Sequence, residues 1–280
     1  MRTARTRVAV TLTARLLLRN RVAMSLIVVI PILFYALIAI TTGTQPTPFV
    51  LSAVSETTRV VVPRDHEALV FMGLAAVGFV SAFLGFHLIA RQGDASRRLV
   101  LCGYRPWQLV VARLAVLAIA VVAVSALSCA MLRAFFAPAH VLATGVAFVL
   151  VGLVYGCYGL LAGALFPREL EGILSIVLLT NVDLAWLQNP VYYTEAQNRA
   201  VIRSLPGYWP AQVGMIAAFS DHPIWRAAMM SLLYATVLLV IAVSLFWRRM
   251  HLHASGDAHA DASAAPDLDA ESLLPRGSSP

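Results

Sequence analysis

VLATGVAFVLVGLVYGCYGLLAGALF, residues 141–166, decides the fold. The run holds no charged side chain. A helix crossing the hydrocarbon of a bilayer needs about 20 predominantly apolar residues. Lipid offers no hydrogen bonds, so a spanning segment must pair its own backbone groups, as a helix does. Gly152, Gly156, Gly159 and Gly163 recur at steps of four, three and four, which puts them on one helix face. Small residues let membrane helices approach backbone to backbone, so this face is assigned to helix packing.

Working outward, residues 22–42, 68–90, 114–132 and 227–247 are apolar runs of spanning length. A sixth run, 172–187, is shorter and is interrupted by Asn181 and Asp183. The expected fold is therefore an all-α membrane protein with six spans. The composition agrees. Of 280 residues 60% are hydrophobic and 12% charged, against about 45–50% and 25% in soluble domains. Mean hydropathy is +0.79. An ordinary water-soluble domain is excluded.

The net charge of +7 comes from arginine alone, since none of the 21 basic residues is lysine. A phosphate-binding Walker A loop requires its lysine, and Schiff-base chemistry does too, so this chain carries neither. The arginines sit beside apolar runs, which argues for membrane topology and against nucleic acid as a partner. Arg2, Arg5, Arg7, Arg15, Arg19 and Arg21 precede the first span without an acid. Arg91, Arg97, Arg98, Arg105 and Arg113 lie between spans two and three against Asp94 alone. Arg248 and Arg249 follow the last span, and the alternate loops are poorer or balanced by acids. By the positive-inside rule both termini are expected in the cytoplasm, and a multi-pass protein of a bacterial plasma membrane is expected.

Residues 1–21 read as a basic amphipathic helix at the membrane surface, with Arg7, Thr11, Arg15 and Arg19 as its polar stripe and Ala9, Leu12 and Leu16 on its apolar side. Residues 251–280, rich in Ala, Asp, Ser and Pro, read as a disordered acidic tail. Cys102, Cys129 and Cys157 are scattered without a metal-binding or disulfide pattern. No H-E-x-x-H and no grouping of nucleophile, base and acid occurs. An enzyme is not expected, and neither a bound metal nor a cofactor.

Three features bear on function. The segment RQGDASRRLVLCGYRPWQLVVARLA, residues 91–115, opens with Gly93 and Asp94, carries Arg97 and Arg98, and breaks at Gly103, Arg105 and Pro106. It predicts a compact basic reversal that fits a partner's groove. NPVYYTEAQNRAVIRSLPGYWPAQVGMIAAF, residues 189–219, predicts a mixed helix from Thr194, capped by that residue, then a break at Pro206 and a second apolar segment from Pro210. Asp183 lies inside an apolar run, where an acid is costly and marks a functional candidate. It faces a cationic substrate or a proton, or else it caps the end of span five. Phe79 and Phe83 of span two line a translocation path or pack against neighbours and lipid.

The segment after span two, with Gly93, Asp94, Arg97, Arg98, Leu99, Leu101, Arg105, Pro106, Trp107 and Arg113, resembles that of the ABC-2 type transporter permeases, six-span exporters of drugs, lipids and polysaccharides. The 189–219 segment is similar to theirs as well, and the likeness covers nearly all of residues 1–250. The resemblance implies that residues 91–113 form a coupling helix against a separate ATP-binding subunit, which holds ATP and Mg²⁺. It implies short re-entrant helices capping the outer end between spans five and six. It also implies a second permease copy or a sister permease in the working unit. Gln92 and Asp94 stand where the family commonly has glutamates. The expected function is export of a hydrophobic drug-like compound or secondary metabolite. The alternatives are export of lipid or polysaccharide, and a non-transporting membrane anchor or sensor.

Overall fold

Six helices of the chain are long and apolar enough to cross a membrane. The computed structural model describes residues 2–90, 106–166 and 168–263. In chain order the elements begin with α1 (Arg2–Arg19) and α2 (Arg21–Thr41), then β1 (Pro46–Val50), β2 (Arg59–Pro63) and α3 (Arg64–Ala90). Next come α4 (Pro106–Phe135), α5 (Val141–Leu165) and α6 (Glu169–Thr180), which runs on as a π-helical stretch, Asn181–Leu187. The short helices α7 (Pro190–Glu195), α8 (Arg199–Ser204) and α9 (Tyr208–Phe219) precede the last helix, α10 (Trp225–Ser263). The six candidate spans are α2, α3, α4, α5, α6 with its π-helical end, and α10.

The central helix is α3, enclosed along most of its length, whereas α2 and α10 bury little of theirs. It packs most extensively on α5, and glycine makes that approach close. A methyl at Gly159 would overlap the Ala82 carbonyl, and one at Gly85 would overlap the Gly156 carbonyl. At Gly152 it would lie 2.6 Å from Val121 of α4, and at Gly163 3.0 Å from Ile89. Gly156 looks toward Leu117 at 3.3 Å. The glycine face of α5 thus receives two helices, α3 and α4.

Three local expectations change. The helical bundle carries one antiparallel hairpin, with Pro46 opposite Pro63 and Val50 opposite Arg59. Its β-branched run Val60–Val62 suits an extended chain. The helix expected from Thr194 is instead two short helices. Asn189 caps α7 by accepting from the Val191 and Tyr192 amides at 2.9 and 3.3 Å, and Pro190 takes the first position, where its missing N–H costs nothing. Thr194 turns its hydroxyl back to the Pro190 carbonyl at 2.8 Å. The last helix continues to Ser263 instead of ending near residue 250. Alanines at 254, 258, 260 and 262 favour that continuation, and residues 264–280 lie outside the described ones.

Helix α1 has three faces. Ala9, Thr13 and Leu17 are buried, and the helix packs on α4. Val8, Leu12 and Leu16 form an exposed apolar stripe, and Arg15 and Arg19 are exposed beside it. The face packed on protein is thus one step around from the Leu12 and Leu16 side. At the elbow Asn20 accepts from the Val22 and Ala23 amides, while its Nδ2 lies 2.6 Å from His87 Nε2 near the end of α3.

Candidate functional site

The spans alternate in direction, so one end of the bundle carries α1 and the α10 exit, and the other carries the hairpin, residues 136–140 and residues 188–224. The polar chemistry of the described residues concentrates at this hairpin end. Its innermost part is Asp183, fully buried within the π-helical stretch. A buried acid must be satisfied by donors or partners, and three elements supply them. Tyr155 of α5 donates to Oδ2 at 2.5 Å. The Gly207 amide, at the corner between α8 and α9, donates to the same oxygen at 2.9 Å. Gln188 Nε2 donates to Oδ1 at 2.7 Å and lies 3.3 Å from the Ile202 carbonyl. A methyl on residue 207 would come 2.8 Å from the Tyr155 hydroxyl and 3.0 Å from both carboxylate oxygens, so a larger residue here would have to push the Tyr155–Asp183 pair aside.

Asp183 is therefore a positioning residue that joins α5, the end of span five and the α8–α9 corner. None of the groups that hydrogen-bond it lies on α3, the helix of Phe79 and Phe83. Gly78 of α3 faces this cluster, with a methyl there meeting Leu184 at 2.6 Å and Tyr155 at 3.4 Å. Phe79 is one residue on, about 100° around the helix. Phe79, Phe83 and His87 instead form a half-buried stripe along α3, with the rings of Phe83 and His87 stacked 6.2 Å apart.

Above Asp183 the hairpin tip is tied to the short helices. Arg199 donates to Glu56 Oε2 at 2.8 Å, and Arg203 pairs with Glu56 Oε1. Arg203 Nε also donates to the Tyr193 hydroxyl at 2.8 Å, and that hydroxyl donates to Glu56 at 3.3 Å. Burial raises the Tyr193 phenol above its ordinary pKa. Ser52 and Tyr208 share a hydrogen bond of 2.8 Å, and Gln212 accepts from the Ala53 amide at 3.3 Å. None of these pairings is visible in sequence, because Glu56 and Arg199 lie far apart along the chain. Helix α9 is almost wholly buried and packs on α3, α5 and α10. Its far end is fixed where Ala139 and His140 donate to the carbonyls of Ala218 and Ala217 at 2.9 and 3.0 Å. Phe219 there meets the rings of Phe49 and Phe136.

Of the residues expected to meet a partner, Gly93, Asp94, Arg97, Arg98, Gly103 and Arg105 lie outside the described residues. Pro106 is the first residue of α4. Arg113, expected at the end of that basic segment, is 4% exposed inside the bundle, with its guanidinium carbon 5.1 Å from the centre of the Phe246 ring. Among the described residues no group of His, Cys, Asp and Glu is placed to hold a metal ion. No protein-family model matches the chain, and no curated protein matches it in sequence.

Proposed function

We propose that this chain is the membrane permease subunit of an ATP-driven ABC exporter, with both termini in the cytoplasm and the hairpin end outside. The observation that carries the reading is α9, an apolar 12-residue helix between spans five and six that is buried among α3, α5 and α10 under a polar cap. An anchor has no need of such a plug, whereas an exporter needs an outer closure that can be displaced. The arginine-only composition supports a separate ATP-binding subunit holding ATP and Mg²⁺. A second permease, identical or related, completes the working unit.

In this mechanism ATP-driven closure of the partner subunits is passed to the spans through residues 91–113. Packed helices move as rigid bodies between discrete arrangements. The glycine contacts between α3 and α5 keep those two helices together as one body. The Glu56 pairs with Arg199 and Arg203, each 36–42% exposed, are the contacts that break and re-form as the cap opens. The substrate class is a hydrophobic drug-like compound or secondary metabolite, because the loops outside the spans are too short to hold a separate polymer-binding domain.

The test is co-expression with a candidate ATP-binding subunit of the ABC type. The tagged permease should retain that subunit through purification, and R97E/R98E should release it while membrane insertion stays intact. A permease that never retains an ATP-binding subunit, and whose transport is indifferent to R97E/R98E, overturns the reading.

A further inference from the structure

Helix α6 packs on α3 and α5 with one face and turns the other outward. Asn181 stands on that outward face, exposed among Leu174, Val177, Leu178 and Val182, while Thr180 and Asp183 to either side of it are buried. Among the described residues its side chain makes one hydrogen bond, from Nδ2 to the Val177 carbonyl of its own helix at 2.8 Å. A carboxamide has two N–H donors and an oxygen with two lone pairs. One N–H and the oxygen therefore face outward unmatched. We infer that α6 docks on α6 of a second copy of this chain, with the two Asn181 carboxamides hydrogen-bonded to each other across a two-fold axis.

Depth makes a partner necessary. Exposed Glu169 opens α6 and marks one edge of the hydrocarbon. Asn181 lies about 18 Å further along the axis, past the middle of a core about 30 Å thick. Acyl chains offer nothing to an amide, and an unmatched polar group there is costly. The outward faces of other spans carry no such demand. Thr41 of α2 and Thr236 of α10 are exposed too, but each returns its one hydroxyl proton to its own helix, at 2.7 and 2.8 Å. Gln108, the other carboxamide within the described spans, is buried.

The chemistry of the amide selects the occupant. In a two-fold interface a residue near the axis meets its own copy. Only a side chain that both donates and accepts can pair with itself, and a carboxamide does so. Asparagine hydrogen-bonds across membrane helices, and one such residue in an apolar helix seam fixes register. Leu174 and Leu178, one and two turns before Asn181 on the same face, supply that apolar seam. The proposal makes the second permease of the exporter reading an identical copy and rests on that reading for the pair's role. The pairing itself requires no ATP-binding subunit.

The test uses the full chain in phospholipid vesicles, labelled at its N-terminus with a donor or an acceptor fluorophore. Energy transfer is followed against the protein-to-lipid ratio. The parent should self-associate, and Asn181→Leu should weaken the association about 3- to 30-fold, the worth of one interhelical hydrogen bond. Asn181→Gln keeps the amide and should retain more of the affinity. Asn181→Leu removes no contact to another element, so its melting temperature should hold. With the three native cysteines replaced by alanine, Leu178→Cys should cross-link to its copy through a short bifunctional thiol reagent, and Val237→Cys, exposed on α10, should not. A chain that stays monomeric at every ratio, association unchanged in Asn181→Leu, or cross-linking at Val237→Cys in place of Leu178→Cys would each overturn the proposal. Pairing only with a related permease would overturn it as well, while the exporter reading, judged by retention of an ATP-binding subunit, would stand.

Discussion

The Tyr155 hydroxyl lies 2.5 Å from Oδ2 of Asp183 and so ties the middle of α5 to the broken end of the fifth span. The Gly207 amide shares that oxygen. Removing the phenolic donor in Tyr155→Phe should cost about 1.5–3 kcal/mol, the range for hydrogen bonds to charged groups. In Asp183→Asn the amide oxygen keeps Tyr155 and Gly207, but its NH₂ opposes Gln188 Nε2. The expected loss is about 1–2 kcal/mol. Thermal unfolding in detergent measures both. Transport by Asp183→Asn should fall alike for cationic and neutral compounds. A loss confined to cations would assign Asp183 a substrate-binding role.

The glycine face of α5 makes a graded prediction. Gly159→Ala forces its methyl onto the Ala82 backbone and should cost about 1–3 kcal/mol or more, as overpacking does. Gly156→Ala meets only the Leu117 side chain, at 3.3 Å, and should be milder. Gly145→Ala finds Cys129 Sγ at an ordinary 3.7 Å and should be neutral or stabilise by about 0.5–1 kcal/mol through helix propensity. Melting temperatures of the three variants, ranked, check the interface.

The Glu56 cluster should be weak and sensitive to salt. Its ion pairs are partly exposed, and such pairs contribute about 0–1 kcal/mol. Glu56→Gln should leave global stability almost unchanged and speed amide exchange across residues 51–58. High salt should reproduce that effect in the parent and add nothing in the variant. The pH dependence has a definite sign. Burial raises the Tyr193 phenol, so the fold favours its protonated form. That contribution is complete below the ordinary tyrosine pKa of about 10 and is lost as pH climbs beyond it. Tyr193→Phe should remove this alkaline loss.

Asn20 serves two elements, capping α2 and reaching His87 of α3. Asn20→Ala should cost about 1 kcal/mol for the cap, plus the tie to His87. A double-mutant cycle of Asn20→Ser with His87→Ala isolates the second term, expected at about 0.5–1.5 kcal/mol. A coupling of zero would make the elbow a cap alone.

Much of the fold was legible because lipid imposes a length and composition rule on every span. The runs 22–42, 141–166 and 227–247 correspond to α2, α5 and the membrane part of α10 within a residue or two. The shorter run 172–187 reaches spanning length because Glu169–Thr180 continues through the π-helical stretch to Leu187. Arg113, expected just before the third span, is part of that span's helix and is held inside the bundle and not at its edge. Periodicity cannot report that, since an arginine near a helix start looks the same whether it faces water or a cleft.

Asp183 shows the same limit. Its position in an apolar run singled it out, yet the donors that explain it come from residues 155, 188 and 207. The sequence by itself determined that the chain has six segments long and apolar enough to cross a membrane, because hydrophobic length and glycine spacing are local properties. Only the tertiary structure decided what its polar residues do. A hydrogen bond or ion pair depends on two or three groups meeting in space, and packing brings Glu56 to Arg199, Gly207 to Asp183 and Arg113 to Phe246.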